Sequence, residues 1–441
     1  MSNTLQAIMP RWLVPVHPEG RVLEDHAVII VGGRIEAIVP AVDVDRQFGQ
    51  AERVELPDHV LIPGLVNAHT HNAMTLMRGL ADDLPLMTWL EKHIWPAEQR
   101  WVGPDFVRAG TELAIAEMLA GGTTCFNDNY FFPDVTAGVA RRAGMRAVLG
   151  LPVIAVPTAW AQTEDEYFSR GLAVHQDLVG ESLLTTAFAP HAPYTVSDEA
   201  FERMRDLAEE MDVPIHLHLL EAAGEIDGSL EAHGKTPLDR LDALGLLGPR
   251  LLAVHMTQLD ADDIRRIARA GVHVLHCPAS NLKLASGICP VAELDAAGIN
   301  IAIGTDGAAS NNTLDMFAEM RLAALLAKGA SGNPEAVPAV RALSMATVNG
   351  ARALGLDDRI GTIEVGKSAD LAAVALNHSG TLPVHNVISH LVYSAGRNQV
   401  SNVWVEGRRV LRHRELETLD TGEVHRSAHQ WAARLSQRNS A

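Results

Sequence analysis

The stretch VLIPGLVNAHTHNAMTLMRGL, residues 60–80, decides how the rest of the chain is read. An apolar run ends in two histidines, His69 and His71, two positions apart. In an extended strand residues i and i+2 project to the same side, so both imidazoles can face one point. A lone buried histidine is more often a hydrogen-bonded core residue than a ligand, and one H-x-H pair is weak evidence. The question is whether other strands end in the same way.

Short apolar runs recur between helical stretches: 64–69 (GLVNAH), 123–128 (TTCFND), 147–154 (AVLGLPVI), 183–190 (LLTTAFAP), 214–220 (PIHLHLL), 251–256 (LLAVHM), 273–278 (HVLHCP) and 301–306 (IAIGTD). Helical segments such as DEAFERMRDLAEEM from Asp198 and DADDIRRIARAG from Asp260 separate them, with Asp198 and Asp260 expected as N-caps and Gly271 as a stop. Eight strands, each followed by a helix or long loop, predict an α/β fold, a (β/α)8 TIM barrel. A doubly wound sheet is the main competitor, and the lack of G-x-G-x-x-G after the first strand counts against it.

The two ends of the chain have another texture. HAVIIVGGRIEAIV (26–39), GTIEVGKSADLAAVAL (361–376) and VSNVWVEGRRVL (400–411) read as β-hairpins and short strands, with Gly32-Gly33 and Glu406-Gly407 at turns. The economical reading is a small β-sandwich domain built from both termini. The expected division is 1–62 and 362–425 for that domain, 63–361 for the barrel, and 426–441 for a C-terminal surface helix or tail with no assigned chemistry.

Composition narrows the function. The 441 residues are 47% hydrophobic and 20% charged, an ordinary globular balance. Net charge is −18, and no basic run is long enough to follow a phosphate backbone, so nucleic-acid binding is not expected. Three cysteines, Cys125, Cys277 and Cys289, are not a disulfide framework and fit a reducing cytoplasm. The first residues lack a basic region followed by an apolar core, and no apolar run reaches the ~18 residues of a membrane span. Twenty histidines are the unusual feature.

Placed on the expected strands, those histidines gather. His69 and His71 end strand one, His216 and His218 lie on strand five with Glu221 just beyond, His255 ends strand six, and Asp306 ends strand eight. In a barrel these ends converge on the face where active sites are built. Three imidazoles and a carboxylate suit one divalent metal, Zn²⁺ before others, with room for water. Burying so many polar groups without partners would cost roughly 1–3 kcal/mol each, so packing alone is a poor explanation.

PGLVNAHTH, HLHLLE, VHMTQL and GTDGAASNN resemble the amidohydrolase superfamily, nearly end to end. The resemblance implies that His69, His71, His218 and Asp306 hold one metal, that His255 bonds near the metal-bound water, and that His216 is supporting. Two-metal members bridge their ions with a modified lysine from strand four. No lysine occurs here between Lys92 and Lys235, which favours a single ion. The reaction implied is hydrolytic removal of an amine from an aromatic ring, with Glu221 protonating the adjacent ring nitrogen while Asp306 and His255 manage the proton passed to departing ammonia. Taken alone, Glu221 would read as a solvated loop acid or helix cap.

The long first loop, MTLMRGLADDLPLMTWLEKHIWPAEQRW, reads as a lid, an apolar pocket wall or a dimer contact. It is similar to that of methylthioadenosine/S-adenosylhomocysteine deaminases. That resemblance implies that Glu98 binds the ribose hydroxyls and that His191 in FAPHAPYTVS and Ser310 contact the nucleoside, alongside Glu221 and His255. A carboxylate has two oxygens for two vicinal hydroxyl donors. In relatives taking S-adenosylhomocysteine, arginines after strand three hold the amino-acid carboxylate. Here that loop, AVPTAWAQTEDEYFSRG, is acidic, holds only Arg170, and offers Trp160 as a wall for an apolar tail, with plain loop packing as its other reading. The expected order is therefore methylthioadenosine, adenosine, then S-adenosylhomocysteine. The alternatives are a guanine, cytosine or triazine hydrolase of the same superfamily, or a non-catalytic barrel scaffold. Expected partners are a small nucleoside and further copies of the chain, with no nucleic acid and no membrane.

Overall fold

The computed structural model describes residues 5–436. Eight parallel strands pair in chain order: β1 (Leu65–Thr70), β2 (Thr123–Asp128), β3 (Arg146–Val153), β4 (Leu184–Pro190), β5 (Ile215–Leu219), β6 (Leu251–His255), β7 (His273–His276) and β8 (Ile301–Ile303). All eight expected strands are present, with ends shifted by a few residues. Nearly every strand residue is buried, as befits parallel strands covered on both faces. Val66, Ala68, Cys125, Val148, Ala187, Leu252, Val254, Leu275 and Ala302 share one cluster, to which β1, β2, β3, β4, β6, β7 and β8 all contribute.

The barrel closes between β8 and β1. Asp306 N donates to the His69 carbonyl at 3.0 Å. The Asn67 amide grips Thr305 from both ends, donating to its Oγ1 at 2.8 Å and accepting from its N at 3.0 Å. Gly304 permits this approach, because a Cβ there would stand 2.7 Å from the His69 backbone N. Pairing between β1 and β2 slips between Asn67 and Thr70, a bulge at the level of His69.

Helices cover the barrel. Asp260 caps Ala261–Ala270, accepting from Asp262 N and Asp263 N, and Gly271 ends it in the left-handed region at φ 77°. The helix Asp198–Met211 corrects one expectation. Its cap is Ser197, whose Oγ accepts from Ala200 N at 3.1 Å, and Asp198 instead pairs with Arg240 at 2.6 Å. Two adjacent residues could each cap, and extended backbone at Ser197 selects the first.

Both termini build one mixed sheet of nine strands. At its centre Glu52–Pro63 pairs parallel with Gln6–Leu13 and antiparallel with Leu371–Ala375, which is where the two ends of the chain join. The turns at Gly32-Gly33 (φ 56° and 85°) and Glu406-Gly407 (φ 48° and 71°) take the left-handed conformations a two-residue hairpin requires. These turns lie toward opposite ends of the sheet, yet they touch. A Cβ on Gly407 would stand 2.7 Å from Gly33 Cα. The sheet thus curls over itself, and Ile8, Val28, Ile30, Leu61, Leu371 and Trp404 form a single core inside.

Val387–Tyr393 is a helix packed against the helices Met316–Ser331 and Ala339–Met345 of the barrel layer. The C-terminal helix Thr421–Ser436 buries Val424, Trp431 and Leu435, with Trp431 edge-on to Phe106 at 5.2 Å. The rest of the expected tail, 437–441, and the first four residues of the stretch read for a leader lie outside the described residues. Among the described residues no helix is long and apolar enough to cross a membrane.

Candidate active site

His69, His71, His218 and Asp306 meet at the C-terminal mouth of the barrel, their ligand-capable atoms all within 4.8 Å of one another. Backbone strain helps to aim this face: His255 (φ 75°) and Asp306 (φ 61°) are non-glycine residues in the left-handed region, a conformation that costs on the order of 1–3 kcal/mol.

Free valences show that the cluster suits a cation. Nδ1 of His71 donates to the Asn129 carbonyl and Nδ1 of His218 to the His191 carbonyl at 2.6 Å. A carbonyl only accepts, so each ring in its neutral form presents a bare Nε2 lone pair inward; against burial, Asp306 raises His71, favouring a positive charge at this point. Those two Nε2 atoms stand 3.3 Å apart, and His71 Nε2 is 3.2 Å from Asp306 Oδ1. His69 Nδ1 is bonded to His216 Nε2 at 2.7 Å, and its Nε2 lies 3.3 Å from Asp306 Oδ1, fully buried and without a hydrogen-bond partner. Lone pairs aimed at lone pairs are reconciled by a positive ion between them. The three spacings of 3.2–3.3 Å are those of neighbouring ligands on one ion with bonds of about 2.0–2.1 Å, while the set as a whole spreads to 4.8 Å. These four residues would hold a single divalent metal, zinc being the best match to three nitrogens and one carboxylate.

Burial lowers His69, His255 and His191 to about 4, keeping these imidazoles neutral near pH 7. Burial pushes Asp306 up, but positive charge at the His69 and His71 nitrogens that face it, carried by protons or by a cation in the same place, holds its carboxyl well below the usual range. Glu221 is raised to about 8, by burial first and then by the charge of Asp306, against a 3.2 Å hydrogen bond from Ser286. Its Oε2 lies 3.7 Å from His255 Nε2.

A cavity of about 820 Å³ opens above this cluster, and His71, His191, His218, Glu221, His255 and Asp306 all line it. Its walls are apolar: Leu86, Trp89, Ile94, Trp95, Val156, Pro157 and Leu284. The first loop is largely helical. Between Leu86–Trp89 and Trp95–Trp101 lies a π-helical turn, Leu90–Ile94, of the kind common at functional sites. Glu98 lines the cavity, accepts from the Tyr130 hydroxyl at 2.7 Å, and is raised to about 7 by burial.

Two expected contacts fall elsewhere. Ser310 is 2% exposed and donates to Asp306 Oδ2 at 2.8 Å, so it faces the carboxylate and is not among the residues lining the cavity. Trp160 is buried against Tyr167, ring centroids 5.8 Å apart, and is likewise absent from the lining, where its neighbours Thr158, Ala159 and Gln162 stand. Arg170 pairs with Glu166 on an exposed helix face.

Sequence reasoning missed several supports. Ser280 Oγ donates to Asp306 Oδ2 at 2.6 Å, Asn281 Nδ2 donates to His255 Nδ1 at 2.9 Å, and Tyr130 holds Glu98. Ser280 and Asn281 stand two and three residues past HVLHCP, so their position after a strand was a usable signal.

Comparisons with known proteins bear on this geometry. Residues 60–410 match the model described as the amidohydrolase family. A 5-methylthioadenosine/S-adenosylhomocysteine deaminase of Teredinibacter turnerae is 49% identical, with 99% of each chain covered. A 5'-deoxyadenosine deaminase of Methanothermobacter thermautotrophicus is 45% identical over 86% of this chain and 88% of its own. The solved structure of an adenosine deaminase from Xanthomonas campestris, with bound zinc, superposes with a TM-score of 0.97 at 53% identity, covering 98% of this chain and 99% of that one.

Proposed function

The chain belongs to the amidohydrolase family, and from that premise we propose that it hydrolyses the 6-amino group of an adenosine-type nucleoside to the inosine analogue and ammonia. The observation that carries this reading is geometric: Glu221 and Asp306 line one cavity with His71, His218 and His255, Asp306 facing the imidazole cluster and Glu221 buried beside His255 and raised toward its protonated form. Two carboxyl groups driven apart by their surroundings divide into an acid and a base.

His69, His71, His218 and Asp306 would hold a divalent ion, which when bound would supply the nucleophile by lowering the pKa of water toward ~7. Glu221 gives its proton to the ring nitrogen beside C6 as oxygen adds there, so the ring's negative charge is neutralised as it forms. Asp306 accepts the proton released by water, and His255, held by Asn281, stays neutral beside it. That proton then leaves with the 6-amino group as the C–N bond breaks, the hydroxyl on C6 becomes a carbonyl as its own proton returns to Glu221, and ammonia departs.

Glu98, braced by Tyr130, takes the ribose hydroxyls, and His191 contacts the nucleoside. The apolar walls suit a 5'-methylthio group. Among the described residues no arginine or lysine lines the cavity, so an amino-acid carboxylate on the 5' side meets no cation from them. The expected order is 5'-methylthioadenosine, then adenosine, then S-adenosylhomocysteine. Deamination kinetics across these three, with guanine and cytosine as controls and zinc measured on the same sample, test the reading. Equal or better turnover of guanine or cytosine would overturn it.

Met87, Trp95, Val156, Tyr194, Leu282 and Ile288 remain exposed on loops around the mouth, which supports a homo-oligomer. Light scattering that gave a monomer mass would remove that part. Three buried, unpaired cysteines support a cytoplasmic setting.

A further inference from the structure

We infer that Glu319 is a positioning residue for Asp306, tying together the two loops whose serines aim that carboxylate. The inference rests on the deaminase reading of the same site. Asp306 Oδ2 accepts from Ser280 at 2.6 Å and from Ser310 at 2.8 Å. Gly307 N donates to Oδ1 at 2.7 Å, the oxygen that faces His69 and His71. The carboxylate is thus fixed at both ends, and its aim depends on where the serines stand.

Those serines belong to different loops. Ser280 lies in the short helix Pro278–Lys283 after β7, and Ser310 lies in the loop after β8. Glu319, on the helix Met316–Ser331, reaches both. Its Oε2 accepts from Ala279 N at 3.1 Å, next to Ser280, and its Oε1 accepts from Asn311 Nδ2 at 2.8 Å, next to Ser310. Asn311 Nδ2 also donates to the Thr305 carbonyl at 2.7 Å, adjacent to Asp306 itself. One carboxyl group therefore sets the spacing of both serines. The short helix that it holds also carries Asn281, the partner of His255.

Glu319 is 1% exposed, and no cation pairs with it among the described residues. A buried carboxyl without a counter-charge is costly as a packing element. What it gains is two donors from two loops, which matches a bracket and not a filler. Partners behind a ligand change metal affinity or activity by about 10–100-fold when removed.

The test uses zinc-loaded full-length protein, as wild type, Glu319→Ala, Ser280→Ala and the double variant. Zinc affinity is read by competition with a chromogenic chelator, and kcat and KM for 5'-methylthioadenosine are read on the same samples. Each single variant is expected to weaken zinc binding about tenfold and to lower kcat, with KM changed by no more than about twofold. The double variant is expected to be no weaker than the worse single one, since both act through Asp306. Wild-type zinc affinity and kcat per bound zinc in Glu319→Ala, even with a lower Tm, would overturn the assignment, as would additive losses. Should Glu319→Ala not fold, Glu319→Gln keeps one acceptor; an intermediate loss supports the role and wild-type values overturn it. If the wild type releases no ammonia from any adenosine, the deaminase reading fails, while the zinc competition still decides the role of Glu319.

Discussion

At the floor of the barrel, Arg146 spreads its guanidinium over both oxygens of Asp370, at 2.8 and 3.2 Å, the Ser182 carbonyl at 2.7 Å and the Ser368 hydroxyl at 3.1 Å. Asp370 is completed by Ser368 at 2.6 Å and Glu406 N at 2.9 Å. At the mouth, one barrel length away, buried polar groups are just as dense, but imidazole lone pairs point at one another and His69 Nε2 has no partner. The floor is electrically complete and joins the curled sheet, through Asp370, to the barrel. At the mouth the lone pairs converge on one point, as the ligands of a cation do. Polarity in a core serves adhesion where its valences close and chemistry where they are left open.

The sharpest break in this contrast comes from Glu221→Gln at the mouth. Turnover should fall by about 10³-fold with zinc retained, because a proton donor is lost and no ligand is touched. Steady-state kinetics beside metal analysis check this, and turnover within tenfold of wild type would remove Glu221 as the acid. Arg146→Met at the floor should do the reverse. It strands a buried carboxylate, costing about 3–5 kcal/mol in urea unfolding while kcat of the folded protein holds, and Arg146→Met with Asp370→Leu should recover much of that loss. Lost activity without lost stability in Arg146→Met would erase the distinction.

Glu98→Ala should raise KM for nucleosides about 10–100-fold, the worth of hydrogen bonds to a charged group, with a lesser effect on free adenine. Equal effects on both would show that Glu98 does not hold the ribose. The pH profile sharpens the same point. The Glu221 carboxyl is raised to about 8 and its protonated form is the active one. Rate should therefore fall about tenfold per pH unit above that value, and the residual activity of Glu221→Gln should lack this alkaline limb. The smallest effect belongs to neither region. Ser197→Ala removes a helix cap and should cost about 1 kcal/mol in unfolding, with kinetics untouched.

The eight strands were legible because parallel strands buried on both faces leave short, uninterrupted apolar runs, and chemistry at their ends follows from where strands stop. Strand ends brought His69, His71, His216, His218, His255 and Asp306 to one face, and the choice of His69, His71, His218 and Asp306 as ligands came from the resemblance to the amidohydrolases. Trp160 was not legible: a loop side chain points where its local packing sends it, here toward Tyr167, and no periodicity encodes that direction. Ser310, expected at the nucleoside, has its hydroxyl on Asp306, a partner that position along the chain does not reveal. Ser197 and Asp198 are both competent caps, and the choice was made by backbone angles that composition does not report. The order of the nine-stranded sheet was hidden because its central pairings join residues from opposite ends of the chain.

Barrel closure has a consequence in time. The hydrogen bonds that seal β8 to β1 join Asn67 and Thr305, 238 positions apart, and flank the donor set itself. On a ribosome adding about 5–20 residues per second, His69 and His71 emerge on the order of 10–50 s before Asp306 exists. Through that interval the nascent chain carries an unfinished chelate, and stable metal capture waits until the last stave is laid.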